Sequence, residues 1–166
     1  YKNLHQGWVH ATFDGKVNTW QSIPLPTYEA MKTAHSSIVN STVTGWGGDK
    51  LLTVDEIRVI KQGYYVSEEF LEMFEFPLVS GDPATVLDDP YSIVISQSLA
   101  KTLFKDSDPL GQTIRLEDQV NLNVTGILKD LPNNSSFEFE YLVPWKQREL
   151  LNEWVVNNKT NWGNYS

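Results

Sequence analysis

The segment Phe104–Glu117, FKDSDPLGQTIRLE, carries the residue types of a calcium loop. Asp106, Asp108, Gly111 and Glu117 fall at positions 1, 3, 6 and 12 of the EF-hand pattern, which needs spaced oxygen ligands, a glycine turn and a final bidentate glutamate. The residues between them argue against a metal. Position 5 should offer an oxygen but is Leu110, and Pro109 stiffens position 4. Glu117 falls in an alternating strand pattern rather than at the head of an exiting helix. The run SDPLG is good turn chemistry by itself, with aspartate before proline and glycine closing. The segment therefore reads as a helix-to-strand turn.

Ser98-Leu99-Ala100-Lys101 matches the S-x-x-K spacing in which a serine acts as nucleophile. The companion S-D-N and K-T-G elements are missing, and both residues lie on the side of their helix away from Leu99 and Leu103. A solvated helix face is the better reading. His5 and His10 are five apart, which places them on opposite faces of a strand, and His35 sits on a helix; none has a carboxylate at ligand spacing. Glu138 and Glu140 form a carboxylate pair, but strand alternation puts both on the polar face, without the apolar pocket a glycosidase acid needs. No nucleophile elbow, phosphate loop or dinucleotide fingerprint occurs. No catalytic, cofactor-binding or metal residue is assigned, and no cofactor is expected. Six tryptophans and seven tyrosines leave room for an exposed aromatic platform, with Trp46 and Trp162 the best candidates.

The whole chain sets the limits within which these residues work. Its 166 residues suit one domain or two small lobes, with 40% hydrophobic and 20% charged residues. A net charge of −8 argues against nucleic acid and anionic lipid as partners. The lack of cysteine excludes a disulfide framework and any Cys-ligated metal. No run approaches a membrane span. The chain opens on Tyr1 rather than methionine, which reads as a piece of a longer polypeptide. Sequons at Asn40, Asn123, Asn133, Asn134, Asn158 and Asn164 read as chance in an asparagine-rich chain.

The elements follow from periodicity. Thr27–Ser37 reads as a helix, SIVNSTVT after it as a strand, and KLLTVD with EIRVIKQGYYV as a hairpin. Ser67 reads as the N-cap of a short helix that turns Phe70, Leu71 and Phe74 inward. EFPLVSGDP reads as a loop and YSIVI as a buried strand. Ser96 caps a helix carrying Leu99, Ala100, Leu103 and Phe104 on one side. Ile114 and Leu116 alternate with Thr113, Arg115 and Glu117; Val120, Leu122 and Val124 repeat the pattern. Phe137, Phe139, Tyr141 and Val143 do the same against Glu138 and Glu140. Such alternation suits antiparallel sheet with one solvated face. Trp145–Val156 reads as a final helix before a polar end. The mixture, without a strict βαβ rhythm, is α+β.

Three segments together resemble a known family. GYYVSEEFLEMFEFPLVSGDP, DDPYSIVISQSLAKTLFKDSDPLGQTIRL and VNLNVTGILKDLPNNSSFEFEYLVP, in this order and spacing, are similar to the extracytoplasmic core domain of MacB/FtsX-type ABC transporter permeases, in the form common in Bacteroidetes. The likeness covers about Gly63–Pro144, and PLPTYEAMK sits where a helix after the first membrane span is expected. The resemblance implies a two-lobed α+β domain of mixed and antiparallel sheets with short helices. A porter-like lobe would hold residues 1–80 with 145–166, and an inserted β-rich lobe residues 81–144. It also implies a place in the periplasm between two membrane helices. The implied role is non-catalytic coupling of ATP-driven movement to cargo or a partner. The implied partners are the permease's own transmembrane helices, a cytoplasmic ABC ATPase, a periplasmic or outer-membrane protein, and a homo- or heterodimeric transporter. The family pattern continues past WGNYS with further strands and a helix that complete the first lobe. Gly81, Pro109, Gly111, Gly126 and Pro132 would set turns. Phe70, Phe74, Leu99, Leu103 and Phe104 would pack the lobes. The alternative readings are a secreted glycan- or protein-binding module using exposed tryptophans, and a serine hydrolase built on Ser98 and Lys101.

Overall fold

The structure is a computed structural model that describes residues 3–34, 36–45 and 47–163. Its first element is a hairpin that the reading by periodicity passes over. β1 (Val9–Phe13) and β2 (Lys16–Trp20) pair antiparallel across Asp14 and Gly15, whose φ values of 49° and 74° give the left-handed turn that matches strand twist. α1 (Pro26–Ala34) follows. Its expected last residues differ: Ser36 and Ser37 form a turn, and His35 lies outside the described residues. SIVNSTVT is not a ladder strand. It runs irregularly with Val39 exposed, and meets the sheet through the single bridge Thr44↔Val66.

The main sheet holds β3 (Gly48–Val54), β4 (Ile57–Val66), β5 (Leu78–Ser80), β6 (Ser92–Ser96), β7 (Thr113–Leu116), β8 (Val120–Leu128) and β9 (Tyr141–Pro144). The order is β5-β8-β6-β9-β4-β3-β7, and β7 also pairs β8. The sheet thus closes on itself through six strands, with β5 outside the ring, which removes most of the edge a flat sheet would expose. β4–β9 and β6–β8 are parallel and the other pairs antiparallel. The expected hairpin is present as β3–β4, and EFPLVSGDP, read as a loop, contributes β5. β3, β4 and β5, from the span assigned to one lobe, pair directly with β7, β8 and β9 from the other, so the strands do not separate at residue 80.

All six ring strands send side chains to one cluster, which is therefore the inside of the ring. It includes Leu52, Ile93, Ile95, Ile114, Leu116, Leu122, Val124, Tyr141 and Val143, with Val59 and Tyr65 against them. α3 (Gln97–Phe104) adds Leu99, Ala100, Leu103 and Phe104 to it, and Ser96 caps that helix by accepting from the Leu99 N–H. A second cluster covers the outer face: Val66, Val94, Leu128 and Leu142 from strands, Phe70 and Leu71 from α2 (Phe70–Phe74), then Val86, Leu87 and Phe139. β6 and β9 are buried along their whole length, so the expected single solvated face does not hold for them. Parallel neighbours and two-sided burial go together.

Two register changes explain further differences. Phe137–Val143 is not one alternating strand. Phe137 and Phe139 pack on the outer cluster while Tyr141 and Val143 point into the ring. The chain changes face at Glu140, whose N–H donates to the Gln62 carbonyl and whose carbonyl accepts from Ser96. In β8 the bulge between the Ile93↔Val124 and Val94↔Gly126 pairs sets Thr125 aside, its hydroxyl donating to the Val86 carbonyl at 2.6 Å. Gly126 lies inside this strand rather than in a turn, and a side chain there would press on Val86. At the C-terminal end the expected single helix is two, α4 (Trp145–Leu151) and α5 (Glu153–Asn158). Asn152 breaks them with extended backbone and caps α5 by accepting from the Trp154 N–H at 3.0 Å.

Candidate functional site

The residues singled out for chemistry are occupied elsewhere. Glu117 accepts the Leu51 N–H at 2.6 Å and pairs with Lys50 at 3.5 Å, which turns it toward β3 and away from Asp106. Asp108 caps its own turn by accepting from the Leu110 N–H, and Gly111 holds a φ of 75° while its N–H donates to Val124. Among the described residues no three His, Asp or Glu side chains are grouped to hold a metal. Ser98 donates its hydroxyl to Asp130 at 2.6 Å and its N–H to the other oxygen at 2.9 Å, so Asp130 is a second cap on α3. Lys101 is exposed and makes no bond to Ser98. His5 precedes β1 rather than sharing it, and His10 meets Thr19 across the hairpin at 2.7 Å. Glu140 is ion-paired with Lys61 at 2.7 Å, while Glu138 is exposed.

Trp46 and Asn164 lie outside the described residues. Trp8, Trp154 and Trp162 are exposed but belong to three different segments. Ser67 does not cap α2. Its hydroxyl accepts the Val43 N–H at 3.2 Å and bonds Thr42, fastening the irregular segment to the body.

The feature that joins distant parts of the chain is a cleft of about 330 Å³ between α1, the start of α2 and α4–α5. Lining residues include Tyr28, Lys32, Glu68, Glu69, Lys146 and Glu149. Its centre is Glu69, which ends the strand-to-helix turn just ahead of the buried Phe70. One Glu69 oxygen accepts the Tyr28 hydroxyl at 2.8 Å and the other accepts the Lys32 ammonium, which also stands 4.2 Å over the Tyr28 ring. Tyr28 and Lys32 are four apart on α1, hence on one face. Lys146 of α4 pairs with Glu68, and Lys159 with Glu149 at 2.7 Å. Sequence reading gave no sign of this clasp, because its partners are 37 and 41 residues apart and each alone is an ordinary surface residue.

Electrostatics support the grip. Burial disfavours the Glu69 carboxylate, but hydrogen bonds from Lys32, its own backbone, Tyr28 and Ser67 outweigh that and lower its pKa. Burial likewise disfavours the Lys32 ammonium, and its bonds to Glu69 and Tyr28 outweigh that and raise its pKa. Burial raises the pKa of the Tyr28 hydroxyl, which stays a donor. Both ions are thus held in their charged forms. Chemically the arrangement can grip and release. α1 itself buries only Pro26 fully, so the polar clasp supplies much of its attachment.

No helix among the described residues is long and apolar enough to cross a membrane. Comparison with known proteins finds that a family model described as the MacB-like periplasmic core domain matches residues 3–161. A search of the curated proteins found no match. Among solved structures, a domain of a protein described as a permease from Porphyromonas gingivalis is similar at TM-score 0.75 and 21% identity, covering 90% of this chain and 61% of that one. The periplasmic region of MacB from Actinobacillus actinomycetemcomitans is similar at TM-score 0.61 and 17% identity, covering 86% and 61%. The extracellular domain of the ABC-type transporter YknZ from Gram-positive bacteria gives 0.61 and 17%, covering 78% and 66%. The chain thus spans under two thirds of each of these solved chains. At such identities the likeness is one of fold: a sheet-dominated α+β core with short helices.

Proposed function

We propose, because the chain belongs to the MacB-like periplasmic core domain family, that it is the extracytoplasmic domain of an ABC transporter permease and works by coupling rather than catalysis. The family match over residues 3–161 carries this reading. In the proposed setting the domain faces the periplasm between two membrane helices of the permease. A cytoplasmic ABC ATPase drives those helices, and the domain passes their movement to cargo or to a periplasmic or outer-membrane partner. The transporter would be a homo- or heterodimer.

A coupling element needs a stiff body and a grip on the part that moves. The ring of six strands, packed on both faces, suits the first need, because close-packed interiors transmit strain. The Tyr28–Lys32–Glu69 clasp suits the second. It fastens α1 to the body through charge-assisted hydrogen bonds, which contribute roughly 1.5–3 kcal/mol each when shielded and less where water reaches them. Such a link holds through small displacements and parts under larger ones.

The test uses the full-length permease with its ATPase and spin labels on the ring and on a membrane helix. The double substitution Lys32→Gln/Glu69→Gln is expected to leave ATP hydrolysis within twofold of normal and to abolish the ATP-dependent change in label distance. The charge swap Lys32→Glu/Glu69→Lys should restore part of that change. An unaltered distance change in the double variant would refute the clasp as the coupling route. A labelled domain that stays still on ATP binding in the unmodified protein would refute coupling itself.

A further inference from the structure

Arg148 on α4 is held by aromatic rings rather than by a carboxylate. Its guanidinium lies 4.9 Å over the Trp145 ring and 6.0 Å from the Tyr65 ring, half-buried. Among the described residues it has no carboxylate, carbonyl or hydroxyl acceptor. Lys32, Lys61, Lys146 and Lys159 each have a glutamate. Gly45 leaves the room Arg148 occupies, since a Cβ there would collide with the guanidinium and touch the Trp145 ring. The charge is held in place by aromatic faces while its N–H donors meet no acceptor among the described residues, in a chain of net charge −8. Three residues on, and so on the same face of α4, is the exposed Leu151; Leu150, Trp154 and Val156 on the same helix pair are exposed too.

We infer that the α4–α5 face is a docking surface for a partner polypeptide segment that presents a carboxylate beside apolar side chains. Charge complementarity selects the carboxylate: an arginine fixed on aromatic rings, with no acceptor among the described residues, offers a planar fork that an acidic side chain can meet with two bonds. The exposed Leu151 on the same face selects a polypeptide over a free anion, which would leave it in water. Arginine is among the residue types enriched in interface hot spots. This inference is independent of the α1 clasp and holds whether or not that clasp couples movement.

The experiment titrates the purified chain with acetyl-Leu-Glu-Leu-Phe amide and with its Gln analogue, following the Arg148 Nε and the α4–α5 amide signals by NMR. The Glu peptide is expected to bind about tenfold more tightly, the difference that one charge-assisted contact gives. Arg148→Gln should erase that preference and Arg148→Lys should keep part of it. Leu151→Ser should weaken both peptides equally. Equal binding of the two peptides, shifts confined to other elements, or inorganic phosphate binding as tightly as the Glu peptide would overturn the proposal. So would a photo-crosslinker at Leu151 of the full-length permease that joins only to the same polypeptide or to a second copy.

Discussion

Phe70 is where packing, site and proposed function meet, and its removal makes a quantitative test. The ring is fully buried, with centroids 4.9 Å from Phe74, 5.5 Å from Phe76, 5.5 Å from Phe137 and 6.2 Å from Phe139, mostly tilted or edge-on. Phe70→Ala deletes the centre of this cluster and leaves a cavity that four rings cannot close together. Burial and cavity terms put the loss at about 3–5 kcal/mol. For a chain of this size each kcal/mol lowers Tm by roughly 2–4 °C, so the expected fall is about 6–20 °C. Phe70→Leu keeps most of the apolar volume and should lose clearly less. Val39→Ala, at a 93% exposed position, should change Tm by no more than about 2 °C. Thermal unfolding followed by circular dichroism measures all three. Because Phe70 directly follows Glu69, its variant should also loosen the Lys32 and Tyr28 contacts well below Tm, seen as faster amide exchange in α1. A Phe70→Ala fall no larger than that of Val39→Ala would refute the two-sided core. A large fall with unchanged exchange in α1 would refute the link between this cluster and the clasp.

The clasp carries its own pH signature. Glu69 has its folded pKa below the usual glutamate value of 4.5, so its contribution is present above about 4.5 and is lost as pH falls through the lower folded value. Lys32 has its folded pKa above 10.5, so its contribution is present below that and is lost as pH rises through the folded value. Chemical denaturation of Glu69→Gln against the unmodified chain should therefore show a stability gap that is flat from about pH 5 to 10 and narrows at acid pH; a gap that widens on acidification would contradict the assigned bonds. Calcium offers a second check. A site saturated at 100 times its Kd adds about 2.7 kcal/mol, or roughly 5–10 °C in Tm. Because Glu117 is held by Leu51 and Lys50, 10 mM calcium is expected to shift Tm by less than about 1 °C, and a rise of several degrees would restore the metal reading of Asp106–Glu117.

What could be read in the sequence was what local periodicity encodes. Leu99, Ala100, Leu103 and Phe104 fall on one helical face and are buried together, and Ile114 and Leu116 are buried while Thr113 and Arg115 are not. The β1–β2 hairpin also has a local signal, Asp14-Gly15 between alternating runs. The face change at Glu140 had none. Phe137 through Val143 alternate without a break, and only the crossing bonds to Gln62 and Ser96 reveal that the second half points into the ring. The division of the last helix turned on Asn152, a residue that favours caps over helix interiors and so was a signal available at one position.

The clasp was illegible for a deeper reason, and the same reason bears on what it can do. Tyrosine, lysine and glutamate at 28, 32 and 69 follow no spacing rule, since their contacts depend on the tertiary fold that brings the start of α2 beside α1. A buried apolar contact at that place would have left a hydrophobic stripe on α1, yet the helix fully buries only Pro26. An apolar stripe would weld α1 to the ring, because its burial is lost gradually with area. A few directional bonds between ions hold at one separation and fail beyond an ångström or so of stretch. Under the proposed coupling, the pattern that hides the site from sequence reading would also let α1 attach firmly in one position and leave it at modest cost, which a coupling element requires and a purely structural helix does not.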